Sequence, residues 1–321
     1  MNSPEILSMF SGRFWAAYWI HMRPYLLFVS GIAGLTGMAA SGAMDFRSAW
    51  TFVLFLPFFT GYGLGQALTD CFQVDTDRLS APYRPLSKGI VSPRQIGLVS
   101  ISGMALMAII LIVANRWNIL FSTLTMAGLA TYSYFKKRWH AGPFYNAWIV
   151  VLLPVMGYLA VSGASPGRLL TAPFPALLVL TFFSYSNFVL MGYLKDISAD
   201  KQTGYRTFPV VFGWDATVWV GDLFGLLALL AGGYLCARQP VAQVFWAGGV
   251  LLAIAGQWRA HTQPEKSEAN SGFPIAATVR SFILWHLAAI LVWYPGLWWG
   301  GILYYLLFEW VLYRRPERTQ I

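Results

Sequence analysis

Apolar residues in this chain come in long blocks separated by short polar joints, and the blocks are too long for a soluble core. Continuous apolar segments run at about 24–43, 50–69, 96–114, 118–135, 144–163, 172–194, 216–236 and 240–258. Each approaches the roughly 20 helical residues that cross a hydrocarbon core. A polar stretch with Glu265, Lys266 and Glu268 follows, then a last apolar block from about 277 to 313 that Tyr294-Pro295-Gly296 interrupts. The pattern predicts an all-α, polytopic transmembrane bundle of nine or ten spans around a central cavity. The count depends on whether the last block is one tilted span or a pair turning at Pro295. Two short spans are favoured, because they return Arg314, Arg315 and Arg318 to the basic side.

Composition agrees. Of 321 residues, 57% are hydrophobic and only 11% charged, against about a quarter charged in a soluble domain. No polar stretch is long enough for a second domain, so residues 1–321 read as one membrane-embedded unit. The start of the chain, with Pro4 and Glu5 among short apolar pieces, lacks the compact core and cleavage site of a secretory signal.

The net charge of +9 changes the picture only through its distribution. Arg13, Arg23, Arg78, Arg84, Lys88, Arg94, Lys136, Lys137, Arg138, Lys195, Lys201, Arg206, Arg259, Lys266 and Arg280 fall on one side of the spans. The opposite joints hold only Arg47, Arg116, Arg168 and Arg238. The bias places the basic side in the cytoplasm and argues against a nucleic-acid partner, which would call for a continuous basic surface. Cys71 and Cys236 fall at opposite ends of their spans, too far apart for a disulfide.

Five of the eight aspartates lie in two short segments on the basic side. The first reads Thr69-Asp70-Cys71-Phe72-Gln73-Val74-Asp75-Thr76-Asp77. If helix continues through it, Asp70, Gln73 and Asp77 share a face. In the second, Lys195 to Lys201, Asp196 and Asp200 are one turn apart. Paired carboxylates at the mouths of helices suit Mg2+, which keeps several waters and bridges carboxylates to substrate phosphates. The basic residues that follow each pair are placed to grip those phosphates.

These residues resemble the two motifs of the UbiA superfamily of intramembrane prenyltransferases. The run from Asp70 through Asp77 to Tyr83-Arg84-Pro85-Leu86-Ser87-Lys88-Gly89 is similar to its Asn-Asp-x-x-Asp-x-x-x-Asp box and Arg-Pro tail. The run from Lys195-Asp196 through Asp200, Arg206-Thr207 and Pro209-Val210-Val211-Phe212-Gly213 is similar to its second box. Arg23-Pro24 and the Tyr132/Lys136 pair resemble two further landmarks. The resemblance implies a Mg2+-held isoprenyl diphosphate and transfer of the prenyl group to a lipophilic acceptor within the bilayer. It assigns Asp70 and Asp77 to one metal and Asp196 and Asp200 to another as the catalytic carboxylates. Arg84, Lys88, Lys136, Lys195 and Arg206 become diphosphate contacts. Two departures stand out: Thr69 replaces the leading Asn, and Gln73 the middle Asp.

Gln73, Tyr132 and Asn187 are expected at the cavity, a helix–helix hydrogen bond explaining Asn187 equally well, with aromatics such as Trp50, Phe72 and Tyr185 available to stabilise a carbocation. The altered first box leaves open a second outcome, a membrane terpene cyclase that ionises the diphosphate without an acceptor. A transporter would need charges along a pathway, and the spans hold only Asp222 and Glu309, with His286 similarly isolated.

Overall fold

A computed structural model describes residues 6–171 and 173–315; Pro4, Glu5 and Arg318 lie outside the described residues. The expected apolar segments are all helical. They form α2 (Pro24–Ala40), α3 (Ala49–Asp70), α5 (Pro93–Ala114), α6 (Asn118–Arg138), α7 (Gly142–Ser162), α8 (Phe174–Gly192), α10 (Phe208–Cys236), α11 (Pro240–Thr262), α12 (Gly272–Trp293) and α13 (Trp298–Tyr313). Three short helices, α1 (Gly12–Met22), α4 (Val74–Ser80) and α9 (Ile197–Gln202), decorate one end. No strand occurs among the described residues. Seven of the described helices are long and apolar enough to cross a membrane by length and composition.

The last apolar block does turn at Pro295. Arg280 on α12 and Glu309 on α13 lie about equally far from that turn and form a two-pronged ion pair, Nε–Oε1 2.6 Å and a guanidinium nitrogen–Oε2 2.7 Å. Only antiparallel α12 and α13 bring them together. At the turn itself, the Tyr294 hydroxyl takes the Met44 N–H at 3.0 Å.

Element ends follow local chemistry. Ser92 and Gln95 form a reciprocal capping box at the start of α5. Ser11 and Ser48 cap α1 and α3. Arg23, between α1 and α2, adopts a left-handed conformation (φ 48°), which costs a non-glycine residue energy. Pro24 then supplies the first position of α2, where its missing N–H is no loss.

Most of α2 is buried, and it packs against α3, α7, α12 and α13. Its contact with α7 is backbone to backbone. A Cβ on Gly37 would lie 2.0 Å from the Pro154 carbonyl oxygen, and one on Gly157 2.3 Å from that of Gly34. Small residues permit this approach where no hydrophobic force separates helix from lipid. By contrast, α5 and α11 turn most of their surface outward.

The α2–α7 seam generates a stability prediction. Gly157→Val should lower the unfolding free energy by about 2 kcal/mol or more through overpacking. Gly97→Ala, whose methyl group meets open space, should leave it unchanged or raise it by about 0.5 kcal/mol. Intrinsic tryptophan fluorescence during thermal unfolding in detergent measures both, and equal midpoints would refute the seam.

Candidate active site

The chain does not continue as helix through the first aspartate segment. Helix α3 stops at Asp70, and α4 restarts after Gln73, whose backbone (φ −122°, ψ 18°) is non-helical. Asp70 and Asp77 therefore do not stack on one face as the spacing predicts. Asp70 turns toward α1 and is almost fully buried. One of its oxygens takes Arg23 at 2.8 Å and the Gln66 amide at 2.8 Å, and the other takes His21 Nδ1 at 3.0 Å. Both oxygens of Asp70 are thus taken by protein donors, and unlike Asp77 the side chain is not among the walls of the chamber between the two segments.

His21 has no solvent exposure. The Leu86 N–H donates to its Nε2 at 3.2 Å, so Nδ1 carries the proton given to Asp70. One ring therefore ties α1 to the end of α3 and to the loop that carries Arg84. Arg84 in turn reaches Asp77 at 2.5 Å and lies 3.7 Å from Asp70.

The second segment keeps its expected geometry. Asp196 precedes α9, and the Asp200 N–H donates to the Asp196 carbonyl at 2.8 Å, so both carboxylates belong to one turn. Lys195 pairs with Asp196 at 3.1 Å. Thr207 donates to one oxygen of Asp200 at 3.0 Å, while Oδ1 is buried without a hydrogen bond. Lys136 lies 3.9 Å from that oxygen, donates to Gln73 Oε1 at 3.1 Å, and sits over the faces of Tyr193 and Tyr205 at 5.3 Å each. The two segments also touch directly, through the Thr76 and Thr203 hydroxyls at 2.5 Å.

Burial pushes the Asp77 and Asp200 carboxyls above their ordinary values, against the pull of Arg84 and Lys136 respectively. At Asp196 burial is outweighed by Lys195 and Lys136, and the carboxyl sits below its ordinary value.

Between the segments lies a polar chamber of about 680 Å³ of empty space, walled by Arg23, Gln73, Asp77, Arg84, Lys136, Lys195 and Asp196. It shares Tyr62, Gln66, Tyr132 and Asn146 with an apolar cavity of about 880 Å³ that runs down to Pro57, Leu111, Ser122 and Met156. The neck is aromatic. Tyr132 bonds Tyr193 at 2.8 Å and Tyr185 bonds Tyr62 at 3.1 Å, hydroxyl to hydroxyl.

Several sequence expectations fall elsewhere. Lys88 and Arg206 are exposed and line neither space. Asn187 packs against α10, where a Cβ on Gly221 would lie 3.0 Å from its Oδ1, so it is not a cavity residue. Trp50 and Phe72 are about half exposed and face outward. Asp222 pairs with His261 at 2.7 Å and Glu309 with Arg280. His286 is a satisfied core residue, bonded to Thr181 and the Phe282 carbonyl. Conversely, His21, Gln66, Tyr62 and Asn146 carry no motif signal, although His21 stands two residues before the Arg23-Pro24 landmark.

A helical bundle with a charged chamber beside an apolar cavity has room for an amphiphilic anion, its head among the charges and its tail between the helices. Residues 27–278 match the profile of the UbiA prenyltransferase family, and the chain belongs to that family. It is an integral, multi-pass membrane prenyltransferase. Among curated relatives, the digeranylgeranylglyceryl phosphate synthase of Thermococcus kodakarensis is 26% identical over 255 residues, 74% of this chain and 88% of the relative. That of Methanospirillum hungatei is 26% identical over 294 residues, 86% and 99%. Two solved structures share the fold. A UbiA homolog from Aeropyrum pernix superposes with TM-score 0.68 at 20% identity, covering 79% of this chain and 94% of that one. A homolog from Archaeoglobus fulgidus bound to DMAPP and Mg2+ superposes with TM-score 0.64 at 18% identity, covering 85% and 98%.

The His21 bridge generates a prediction of its own. His21→Ala leaves a buried carboxylate oxygen and a backbone N–H without partners, which costs roughly 2 kcal/mol. Thermal unfolding in detergent should show the loss, and an unchanged midpoint would mean that the bridge contributes nothing to holding α1.

Proposed function

We propose that this chain transfers an isoprenyl group from a Mg2+-held isoprenyl diphosphate to a lipophilic acceptor drawn from the bilayer, with its aspartate segments on the cytoplasmic side. The observation that carries the reading is the adjacency of the two spaces, which share Tyr62, Gln66, Tyr132 and Asn146 as walls. A diphosphate fits the cationic chamber, and a hydrocarbon tail fits the cavity beneath. On α6, Tyr132 at the neck and Ser122 near the floor are ten residues apart, about 15 Å at the helical rise, which accommodates a tail of a few isoprene units.

Arg84, Lys136 and Lys195 face the chamber and hold the diphosphate oxygens. Asp196 and Asp200 supply hard oxygen donors for the metal, and the unpartnered Asp200 Oδ1 fits that role. A bound Mg2+ neutralises charge developing on the diphosphate. In the reaction, the bond from the prenyl carbon to oxygen breaks and its electron pair leaves with the diphosphate. The acceptor nucleophile then bonds to that carbon and gives up its proton. Tyr62, Tyr132 and Tyr185 offer their π faces at the neck, where the allylic cation forms.

The relatives named above are synthases of a glyceryl phosphate bearing geranylgeranyl groups. They support an acceptor that is itself amphiphilic, with a polar head for the chamber and an apolar body for the bilayer.

Purified protein incubated with geranyl, farnesyl or geranylgeranyl diphosphate, Mg2+ and candidate acceptors should release diphosphate and yield a prenylated product by mass spectrometry. A hydrocarbon or alcohol formed without acceptor would favour cyclisation instead. Asp77→Ala and Asp200→Ala should each reduce kcat/KM at least about a hundredfold while eluting as folded protein. Full activity in both would overturn the site.

A further inference from the structure

We propose that this chain uses one divalent cation where the two carboxylate segments would otherwise hold two, and that the Lys136 ammonium, fixed by Gln73, supplies the positive charge at the first segment. The inference rests on the metal–diphosphate reading above and deepens it.

The first segment presents few anionic donors to the chamber. Along it, the residues that line the chamber or the cavity below are Gln66, Thr69, Gln73, Thr76 and Asp77. Only Asp77 among them is charged, and it already holds Arg84 at 2.5 Å. Asp70 does not line the chamber; its oxygens are bonded to His21, Arg23 and Gln66, and one lies 3.7 Å from Arg84. Magnesium binds through one or two carboxylates with waters and phosphate oxygens, so a single carboxylate shared with a guanidinium is a poor anchor.

Gln73 deepens the contrast. Its Nε2 donates to Ser133 at 3.0 Å, and its Oε1 accepts from Lys136 at 3.1 Å. Both ends of the amide are thus held by α6, and its oxygen is turned to an ammonium rather than left open. The lysine itself is well housed, with Asp200 at 3.9 Å and the faces of Tyr193 and Tyr205 on either side. Carboxylate in place of Gln73 would make the same position a metal ligand, whereas the neutral amide makes it a lysine ligand.

The second segment offers two carboxylates on one turn, Asp196 beside Lys195 at 3.1 Å and Asp200 3.9 Å from Lys136. Asp196 faces the chamber, and Asp200 keeps a buried oxygen without a hydrogen bond. Among the described residues, no three acidic, histidine or cysteine side chains converge into a ready cage. Two carboxylates completed by substrate oxygens and water are what the chemistry of the ion requires.

The test counts cations. Full-length protein in detergent is saturated with geranyl S-thiolodiphosphate, which does not ionise readily, and titrated with Mn2+ while the free ion is followed by electron paramagnetic resonance. One Mn2+ per chain is expected, with at least tenfold weaker binding in Asp200→Asn and little change in Asp70→Asn. The Gln73→Asp, Lys136→Gln double variant should bind two. Two Mn2+ in the unmodified protein would overturn the inference while leaving the proposed reaction standing. A single Mn2+ abolished by Asp77→Asn but retained in Asp200→Asn would also overturn it, by placing the ion at the first segment. No Mn2+ at all would overturn the metal–diphosphate reading and the inference with it. Unfolding midpoints in each variant separate loss of the ion from loss of the fold.

Discussion

A charge taken out of water must meet a countercharge or a full set of hydrogen bonds, and this requirement organises the polar end of the bundle. Asp70 meets Arg23 and His21, Asp77 meets Arg84, Asp196 meets Lys195, and Asp200 faces Lys136. These pairs join α1, the end of α3, α4, the Arg84 loop, α6 and α9, segments far apart in sequence. The arrangement of six pieces of chain is held by the demand for local neutrality. The same demand shapes binding. A diphosphate with its metal brings opposite charges together, and can enter the chamber without leaving a net charge uncompensated.

The apolar half of the molecule depends on a different constraint, close approach without a driving force from water. Helices α2 and α7 touch at glycines, which draws the centre of the bundle tight. The cavity opens beside that seam, bounded by α3, α5, α6, α7 and α8. Its walls are helices rather than loops, so the space is held by packed elements and its depth is set by residues near Ser122 and Met156. Charged chamber and apolar cavity meet at paired tyrosines, where an apolar ring face and a polar hydroxyl are both useful.

Family membership and local geometry carry different parts of the functional reading. The family establishes the class of reaction, whereas the details of this site are its own. Gln73 and Thr69 stand where the resemblance implies an acid and an amide, and the structure shows Gln73 serving Lys136. The second segment retains its carboxylates on one turn and an oxygen available for a hard cation.

The all-α bundle was legible in the sequence because apolar block length and membrane thickness are coupled. Each expected segment became a helix, and even the turn at Pro295 followed from a residue that interrupts helix by chemistry. Asp196 and Asp200 were likewise legible, since four residues on one short helix fix their relation locally. Asp70 was not, because the helix break after it separates its direction from that of Gln73 and Asp77, which line the chamber, and periodicity cannot anticipate a break. His21, Gln66 and Asn146 were silent for a related reason, as their roles depend on neighbours from distant helices. Lys88, Arg206 and Asn187 erred the other way, their position near a motif saying nothing about direction. Local chemistry in the sequence therefore determined the elements and the kinds of charge at one end of the bundle. Only the tertiary structure decided which carboxylates face the chamber, because that depends on how separate helices neutralise one another's buried charge.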